Sequence, residues 1–590
     1  MYAACFSETL NWLRIKCLPQ VLSWGIQLFY NSSKISYILC LILAVLAITW
    51  VWSTLRFWTA LQRSTTLPLI PYTIPYLGHT FNLAWNPIEL TIEAFRRYGW
   101  ARPLRVKIGP ELVTILGNPV HINQVFQLST QLTNKPGIVF ACKHVFGTPS
   151  KCISVYADDD SGLSVKPRKG SIISEENRIH RHHYQSAQKY LTAQHLSSLS
   201  ERFIVTLTRN LQTTKLFDSD KTAENAWFEF PDLYSFLRRH VTASVIETFL
   251  GSEVLELHPA LLDTYWRFEC DVPKFTRCLP RWLCPGAYKN RDKLLEMLKQ
   301  WHLHGDSHSD CYNVQPGDPE WEPYFGAKVN KARHSYMKKI QLLNAEARAA
   351  EDLGILYAMN ANTNASIFWF VFEALKDAHL LGRLRKEIGA CLHVGQKLPG
   401  FDLAKLSSQP LLQSVFAETL RLRVFIGVVR VSEHAPLELE GCTIEQNHRF
   451  VVFTYPLALS TDAWISAGRP PTRPLTEFQA ERFLLNKSKG HGNNIDFAIS
   501  AEDKMEDVKF SLKGLRGCWF PFGGGHFKCP GRHFAKQQII ATVALLFHNF
   551  DIKLSPRVNI NSIVPEYRWI STGGVPPSSK VPFLMRKRTE

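Results

Sequence analysis

Charged residues are missing from one long stretch near the start of the chain. No Asp, Glu, Lys or Arg occurs between Ile35 and Leu55, and Lys34 and Arg56 close this run on either side. About 20 helical residues, at roughly 1.5 Å each, cross a hydrocarbon core of about 30 Å. The run therefore predicts a transmembrane helix rather than a buried core helix, and its late start and length disfavour a cleaved signal peptide.

Zinc-type spacing of cysteines is also missing. The chain has 13 cysteines, an odd number, with no CxxC pair and no alternating His/Cys ladder. Neither a zinc module nor a disulfide framework is indicated by this pattern. We expect that any cysteine chemistry depends on one of these residues.

The overall composition excludes several classes of protein. Hydrophobic residues make up 45% and charged residues 20% of the 590 residues, which excludes a largely disordered chain, a collagen-like repeat and a small disulfide scaffold. Lys and Arg number 68 and Asp and Glu 51, a net charge of +17. This excess suits nucleic acid, an anionic membrane surface or an acidic protein partner, and does not choose among them.

The sequence divides into four parts with no internal repeat. Residues 1–34 are an N-terminal segment with a weak interfacial-helix pattern and a glycosylation sequon at Asn31; residues 35–55 are the predicted transmembrane helix. Residues 56–80 form a proline-rich connector, in which the prolines prevent a continuing helix. Residues 81–590 are predicted to be one large, mainly helical domain with small β-sheets.

Periodicity predicts the elements of this domain. Polar, Gly-rich composition predicts loop insertions at 302–330 and 485–516. The predicted helices lie near residues 86–98, 183–211, 233–250, 340–378, 408–421 and 532–549, and the predicted strands at 104–108, 112–116, 451–454 and 581–585.

The most specific motif is the Cys529 loop, defined here as residues Phe522–Ala535, with the sequence Phe-Gly-Gly-Gly-His-Phe-Lys-Cys-Pro-Gly-Arg-His-Phe-Ala. Successive glycines allow positive φ and a close approach of the backbone to a large planar ligand. Pro530 is favoured in the first turn of the helix that follows. A thiol at a helix N-terminus faces free N–H groups and a positive dipole, which stabilise the iron-ligating thiolate.

This loop resembles the signature of the cytochrome P450 superfamily. Phe522, Gly523, Gly525 and Gly531 match the positions of that signature, and Cys529 stands where the family has its haem ligand. The resemblance implies a cytochrome P450 fold behind the transmembrane helix, with haem b as cofactor and Cys529 as its axial thiolate.

The loop departs from the family signature at one position. The family's arginine two residues before the cysteine is Phe527 here, so the charge that pairs with a haem propionate must come from elsewhere, and we predict Arg430. The branch with sterol 7-alpha-hydroxylase and prostacyclin synthase has the same departure and the same Cys-Pro-Gly-Arg. A second Cys-Pro-Gly at Cys284 lacks the glycine loop, and we expect it to be inert.

Two further segments before the Cys529 loop match the family. One corresponds to the family's structural ion triad, and the other to the residues that guide protons in the family. Glu418 and Arg421 have the family's Glu-x-x-Arg spacing on one helical face, and Arg482 is the candidate third member of a structural ion triad. On the helix expected to cross the haem, Asn362 and Thr363 take the places of the family's paired threonines, while Ala361 replaces the acid. Asn362 either orients water or a substrate oxygen or only bonds the preceding helical turn.

The resemblance also implies partners and a reaction. The expected activity is membrane-bound monooxygenation of a lipophilic, terpenoid- or sterol-like substrate, with electrons from NADPH through cytochrome P450 reductase and with cytochrome b5 as a further candidate donor. A basic surface around Cys529 would dock an acidic flavoprotein; its members are Lys513, Arg516, Lys528, Arg532 and Lys536. The implied location is the endoplasmic reticulum, with the catalytic domain cytosolic. On this interpretation the net positive charge serves a membrane surface and a reductase, and no nucleic acid is expected as a partner.

Two alternatives to this reaction remain open. The first is an enzyme of the same fold that isomerises or dehydrates a peroxide substrate and needs no reductase. Asn362 and the absence of the acid are also compatible with this function. The second is a non-enzymatic membrane haem protein, against which the complete cysteine loop argues.

Overall fold

The structure, a computed structural model, describes residues 34–63, 66–212, 226–310, 314–392, 400–486, 508–569 and 572–588. The predicted interfacial helix and the Asn31 sequon lie outside the described residues. Most of the predicted 485–516 insertion also lies outside them. The residues on either side of the undescribed part pair as two short strands, Leu484–Asn486 and Val508–Phe510.

The uncharged run forms helix α1, Lys34–Gln62, which extends seven residues beyond the predicted end of the span. Its apolar part, Ser36–Gln62, has a mean hydropathy of 2.4 and is long enough to cross a membrane. The end of α1 packs on the main domain: Phe57 is fully buried, and Ser53 Oγ donates to the carbonyl of Tyr72 at 2.9 Å. The helix is therefore exposed along its first part and docked at its end.

Nineteen further α-helices are described after α1, and most helices predicted from periodicity are confirmed within a few residues. The predicted 183–211 helix is instead two helices, separated by two residues at Leu191 and Thr192. The helices are α2 Thr80–Trp85, α3 Pro87–Tyr98, α4 Pro119–Gln127, α5 Lys135–Phe140, α6 Ser154–Ala157, α7 Ile179–Tyr190, α8 Ala193–Gln212, α9 Leu233–Leu250, α10 Glu253–Leu257, α11 Leu261–Thr276, α12 Pro285–His308, α13 Lys328–Lys339, α14 Ala345–Lys376, α15 Ala378–Gly389, α16 Leu403–Ser408, α17 Pro410–Arg423, α18 Thr454–Ala458, α19 Thr461–Ser466 and α20 Arg532–Asn549.

Five sheets flank the helices in the part of the chain that the structure describes, and the four predicted strands are all present. The main sheet has the order β1-β2-β9-β6-β13, and a second joins β12, β14 and β3. The strands are β1 Leu104–Ile108, β2 Glu111–Leu116, β3 Phe228–Phe230, β4 Trp321–Glu322, β5 Gly326–Ala327, β6 Val424–Val431, β7 Leu437–Leu439, β8 Cys442–Ile444, β9 Arg449–Phe453, β10 Leu484–Asn486, β11 Val508–Phe510, β12 Phe550–Leu554, β13 Thr572–Gly574 and β14 Phe583–Lys587.

Helix α14 is the central element of the core. The side chain of Asn344 caps its first turn by accepting from Ala347 N, and almost every residue from Asn360 to Ala374 is buried. Such all-round burial is typical of a helix in the middle of a large domain. The helix carries Asn362 and Thr363 to one wall of the cavity described below.

The predicted loop insertion at 302–330 is wrong for its described residues. Helix α12 continues to His308, and β4 and β5 then form a short hairpin. Phe325 in this hairpin is fully buried, and Trp301 Nε1 donates to the carbonyl of Tyr324 at 2.7 Å. The prediction followed the polar composition of the segment and gave too little weight to its few large aromatic side chains. The burial of these side chains holds the segment to the core.

Candidate functional site

The candidate site is a cavity of about 560 Å³ between α14, β6 and the Cys529 loop. Its walls are mostly apolar, with a few polar side chains at separate points, as is typical of sites for small molecules. The predicted residues that line it are Asn362, Thr363, Arg430, Phe522, Gly523, Cys529 and Gly531. The fold thus brings together residues that are up to 169 positions apart in the sequence, and Gly525 is the one predicted cofactor contact that does not line this cavity.

The backbone of the Cys529 loop is closed by local contacts. Cys529 N donates to the carbonyl of Phe522 at 2.9 Å, and His526 N donates to Ser129 Oγ at 3.1 Å. Gly523 and Gly525 both have φ of 66°, which favours glycine. The sequence predicts Pro530 in the first turn of the following helix. Helix α20 begins only at Arg532, so Pro530 lies in the turn before it.

The three successive glycines of the loop, Gly523 to Gly525, have different roles. A Cβ on Gly524 would lie 2.3 Å from the Phe126 ring, and one on Gly525 would lie 2.4 Å from Ser129 Cβ. A Cβ on Gly523 would meet its nearest atom only at 3.9 Å. Gly524 and Gly525 are therefore required by packing against protein, while Gly523 leaves backbone open at the cavity wall.

The Cys529 thiol is accessible from the cavity, although protein atoms surround it. Burial raises the pKa of this thiol, and it outweighs two backbone N–H donors, from Gly531 and Arg532, and the Arg532 charge, which all favour the thiolate. The N–H donors are those expected at a helix N-terminus. A cation bound at the sulfur would complete the stabilisation of the thiolate.

Cys284 provides an internal comparison for Cys529. It also precedes a helix, α12, with a proline in the first turn. Its sulfur lies 3.5 Å from the carbonyl oxygen of Pro280 and 3.7 Å from that of Leu279, and it does not line the cavity. The Cys-Pro-Gly tripeptide therefore makes a helix start at both positions, and only the glycine loop places the thiol in a cavity.

Arg430 is a buried cation at the cavity wall. Its side chain donates to the carbonyl of Val429 at 2.8 Å and lies over the Phe527 ring at 5.0 Å, and no carboxylate pairs with it among the described residues. Burial alone lowers the pKa of Arg430 to about 10. The residue that replaces the family's arginine, Phe527, thus stacks on the arginine predicted to compensate for it.

Asn362 joins helix α14 to strand β13 of the main sheet. Its Oδ1 accepts a hydrogen bond from Gly574 N at 2.6 Å, and Gly573 approaches so closely that a Cβ there would overlap Oδ1. A backbone N–H can only donate, so the atom facing Gly574 must be the amide oxygen. The side chain of Asn360, by contrast, donates to Leu356 O in the preceding turn, the alternative considered for Asn362.

The structural triad forms in full beneath the site. Glu418 and Arg421 pair at 2.7 Å, and Arg482 Nε donates to Glu418 Oε1 at 2.9 Å. All three side chains are buried, and carbonyls of Leu475 and Glu477 accept further bonds from the two arginines. A buried ion triad with satisfied hydrogen bonds fixes the segment after Leu475 against helix α17.

Sequence reasoning missed most of the apolar wall. Ala358, Met359 and Ser366 line the cavity from α14, and Phe249 lines it from α9. The first three lie three or four positions from Asn362 or Thr363, so helical spacing could have found them. Nothing in the sequence near Phe249 indicated that this side chain reaches the cavity.

Comparisons with known proteins agree with this geometry. A family model for cytochrome P450 matches residues 328–578. Cytochrome P450 monooxygenase efuG of Hormonema carpetanum is 29% identical over 88% of this chain and 90% of its own length. Cytochrome P450 monooxygenase fsoE of Humicola fuscoatra is 29% identical over 92% of this chain and 93% of its own length. Cytochrome P450 7A1 of Rattus norvegicus is 24% identical over 82% and 87%, respectively.

The fold, the cysteine loop and these relatives define a haem-thiolate enzyme. The chain belongs to the cytochrome P450 superfamily, in a branch similar to the sterol 7-alpha-hydroxylases, and it is a monooxygenase whose cofactor is haem held by a cysteine thiolate. The residues of the cavity fit that cofactor. A thiol with two N–H donors faces the cavity, and a buried arginine without a carboxylate partner lies at its wall.

Proposed function

We propose that this protein is a membrane-bound monooxygenase that oxidises a lipophilic, sterol- or terpenoid-like substrate with O2 and electrons derived from NADPH. The observation that carries the proposal is the apolar cavity that contains both Cys529 and Asn362. An apolar cavity with few polar groups favours an apolar substrate held by shape and one or two hydrogen bonds.

Cys529 is the proposed iron ligand, and Arg430 is proposed to pair with a haem propionate. Haem supplies the oxygen chemistry, which a thiolate ligand promotes by pushing electron density toward O–O cleavage. The N–H groups of Gly531 and Arg532 hold the sulfur in position and temper its charge. Arg430 offers a charge-assisted partner to an anion in a mostly apolar wall.

Asn362 is proposed to position substrate or water as a hydrogen-bond donor. Its Oδ1 accepts from Gly574, which leaves the amide NH2 as its donor at the cavity wall. An amide has no useful acid/base pKa, so this side chain can orient a proton donor but cannot itself act as a carboxyl relay. Thr363, buried beside it, is proposed to assist through its hydroxyl.

The substrate class follows from the relatives as well as from the cavity. One relative is named cholesterol 7-alpha-monooxygenase, from Cricetulus griseus, and is 25% identical over 82% of this chain. The similarity to fungal monooxygenases favours a role in secondary metabolism. The position oxidised depends on how the substrate lies against α14.

A cytochrome P450 reductase is the proposed electron donor, with cytochrome b5 as a second candidate. Three members of the predicted basic docking surface, Lys513, Arg516 and Lys528, are exposed, and Arg532 is partly buried. Lys536 contributes less than expected, because it is half-buried and donates to Gln413 Oε1 at 2.7 Å. Desolvation lowers its pKa to about 8. The proposed location is the endoplasmic reticulum membrane, with α1 as anchor and the domain cytosolic.

Isomerisation or dehydration of a peroxide substrate is the second candidate function. The specific observation that favours it is Asn362 at the place where the family has a proton-delivering threonine beside an acid. The non-enzymatic alternative loses support, since the relatives are named monooxygenases.

One assay separates the two reactions. Microsomes that contain the protein are screened for substrate-binding spectral shifts with sterols, terpenoids and fatty acids. Compounds that bind are then tested for turnover with NADPH, oxygen and reductase. We expect product only when the reductase is present. Turnover of a peroxide substrate without NADPH and reductase, and no reductase-dependent product, would establish the second function instead.

A further inference from the structure

A cluster of buried ionisable side chains lies where three helices meet, away from the cavity. His302 on α12, His334 on α13 and Asp352 on α14 are 4%, 1% and 1% exposed. One ligand atom from each lies within 4.8 Å of the other two. None of the three lines the cavity that contains Cys529, so the cluster is separate from the haem site.

The imidazoles of this cluster use little of their hydrogen-bonding capacity. Both nitrogens of His334 and Nδ1 of His302 have no hydrogen-bond partner among the described residues. The carboxylate oxygen nearest to His334 Nε2 belongs to Asp306, at 3.4 Å. Buried polar groups are normally paired, and the two ring nitrogens of His334 share only this one long contact with a carboxylate, which indicates a site for a further partner beside His334.

The carboxylate of Asp352 is held from one side. Its Oδ1 accepts from Arg333 at 2.7 Å, and its Oδ2 accepts from His302 Nε2 at 2.6 Å. Arg333 therefore orients the carboxylate and leaves Oδ2 facing His302 Nε2. Carboxylates that bind metals are commonly held in this way by a partner outside the metal's own ligands.

The charges around the cluster also allow a cation. Asp352, Glu351 and Asp306 are countered by Arg333 and Lys338, which leaves one excess negative charge when the imidazoles are neutral. A divalent ion would change this balance from −1 to +1, the same magnitude, without leaving an uncompensated pair of charges in the interior.

We propose that His302, His334 and Asp352 bind one zinc ion. Two imidazoles and a carboxylate are a donor set that zinc accepts, at about 2.0–2.2 Å from each ligand atom. Binding through His302 Nε2 places that ring's proton on Nδ1, and the Nε2 to Oδ2 separation widens by less than about 1 Å. The ion would clamp α12 and α13 to the first third of α14, ten residues before Asn362.

The test uses the full-length haem-loaded protein, purified in detergent through an affinity tag without histidines. The protein is stripped with EDTA, dialysed against micromolar ZnCl2 and analysed for zinc per chain, with haem iron measured separately. We expect one zinc per chain, X-ray absorption at the zinc edge that shows two imidazoles, and a melting temperature that rises with zinc concentration.

Two variants separate this site from adventitious binding. His334→Gln is expected to lose the zinc and the zinc-dependent rise in melting temperature while it keeps its haem spectrum. The matched control is the double variant His304→Gln and His308→Gln, which removes two imidazoles on α12 outside the cluster and is expected to keep one zinc.

Three results would overturn the proposal. They are substoichiometric zinc in the wild-type protein, an unchanged zinc content in His334→Gln, or loss of zinc in the control variant alone. Should His334→Gln fail to fold, the zinc-edge spectrum of the wild-type protein decides, and a first shell without imidazole would sink the assignment.

Discussion

Cys529 and Cys284 each begin a Cys-Pro-Gly tripeptide, and each precedes a helix. They differ in the residues before them, because only Cys529 follows a glycine loop that closes on itself and faces a cavity. A thiolate at that place is the one that can ligate iron.

Replacing each cysteine tests the ligand. Cys529→Ser is expected to abolish the red-shifted Soret band of the reduced carbon monoxide complex, since that band requires a thiolate ligand. Cys284→Ser is expected to keep the band at wild-type intensity per chain. A red-shifted band that survived in the Cys529 variant would show that another residue binds the iron.

Asn362 carries two separable contributions, an acceptor for Gly574 and a donor toward the cavity. Asn362→Asp keeps an acceptor but loses the NH2 group, whereas Asn362→Leu loses both. If the donor positions substrate or water, both variants should lower product formed per NADPH by about tenfold, the effect of one hydrogen bond of about 1.4 kcal/mol. Haem content should stay normal in Asn362→Asp.

The measurement is product against NADPH consumed, with the melting temperature as a second readout. Asn362→Leu should also melt earlier, because Gly574 N then lacks its acceptor. If Asn362→Asp forms as much product per NADPH as the wild-type protein, the role of Asn362 is only to hold strand β13 against helix α14.

At the scale of elements, the triad links helix α17 to the segment around Arg482. Glu418 is fully buried and neutralises two arginines at once. Glu418→Gln is therefore expected to cost about 3–5 kcal/mol of the free energy of unfolding, because two cations stay buried without a countercharge. The measurement is the urea midpoint together with the yield of haem-loaded protein.

A surface pair provides the control for the triad. Glu111 and Arg449 pair at 2.6 Å, but their side chains are 51% and 48% exposed. Glu111→Gln should change stability by less than about 1 kcal/mol. Equal effects of the two substitutions would contradict a structural role for the triad.

At the scale of the whole molecule, one helix, α1, contains both the proposed membrane anchor and residues that pack on the catalytic domain. Ser53 and Phe57 belong to this helix and are buried against the domain. The exposed part before them, from residue 36 to 52, measures about 25 Å, close to the thickness of a hydrocarbon core. In the proposed membrane-bound state, this contact would set the depth of the domain at the membrane.

Two truncations test this arrangement. A chain that starts at residue 50 should lose membrane association and keep the melting temperature of the full chain in detergent. A chain that starts at residue 64 also loses Phe57 and Ser53, and it should be destabilised by about 3–5 kcal/mol, typical of removing a buried Phe side chain. Equal stability of both would show that the end of α1 does not support the domain.

Local sequence determined a large part of this protein. The uncharged run, the helical periodicity and the Glu-x-x-Arg spacing depend on residues a few positions apart, and most of the elements that they predicted are present, although the predicted 183–211 helix is two helices. The Cys529 loop carried enough local information to identify the family, because its glycines and cysteine must follow one another to fold as they do. The loop prediction for residues 302–330 was wrong because polar residues outnumber the few aromatic residues that are buried there.

Only the tertiary structure decided which distant residues meet. The contact of Asn362 with Gly574, the stacking of Arg430 on Phe527 and the meeting of His302, His334 and Asp352 join segments that are 18 to 212 residues apart. No spacing rule reaches across such distances, because the contacts depend on how helices pack once their apolar faces are buried. The chemistry of the cavity wall therefore follows from packing, whereas the sequence of the Cys529 loop alone was sufficient to predict Cys529 as its reactive thiol.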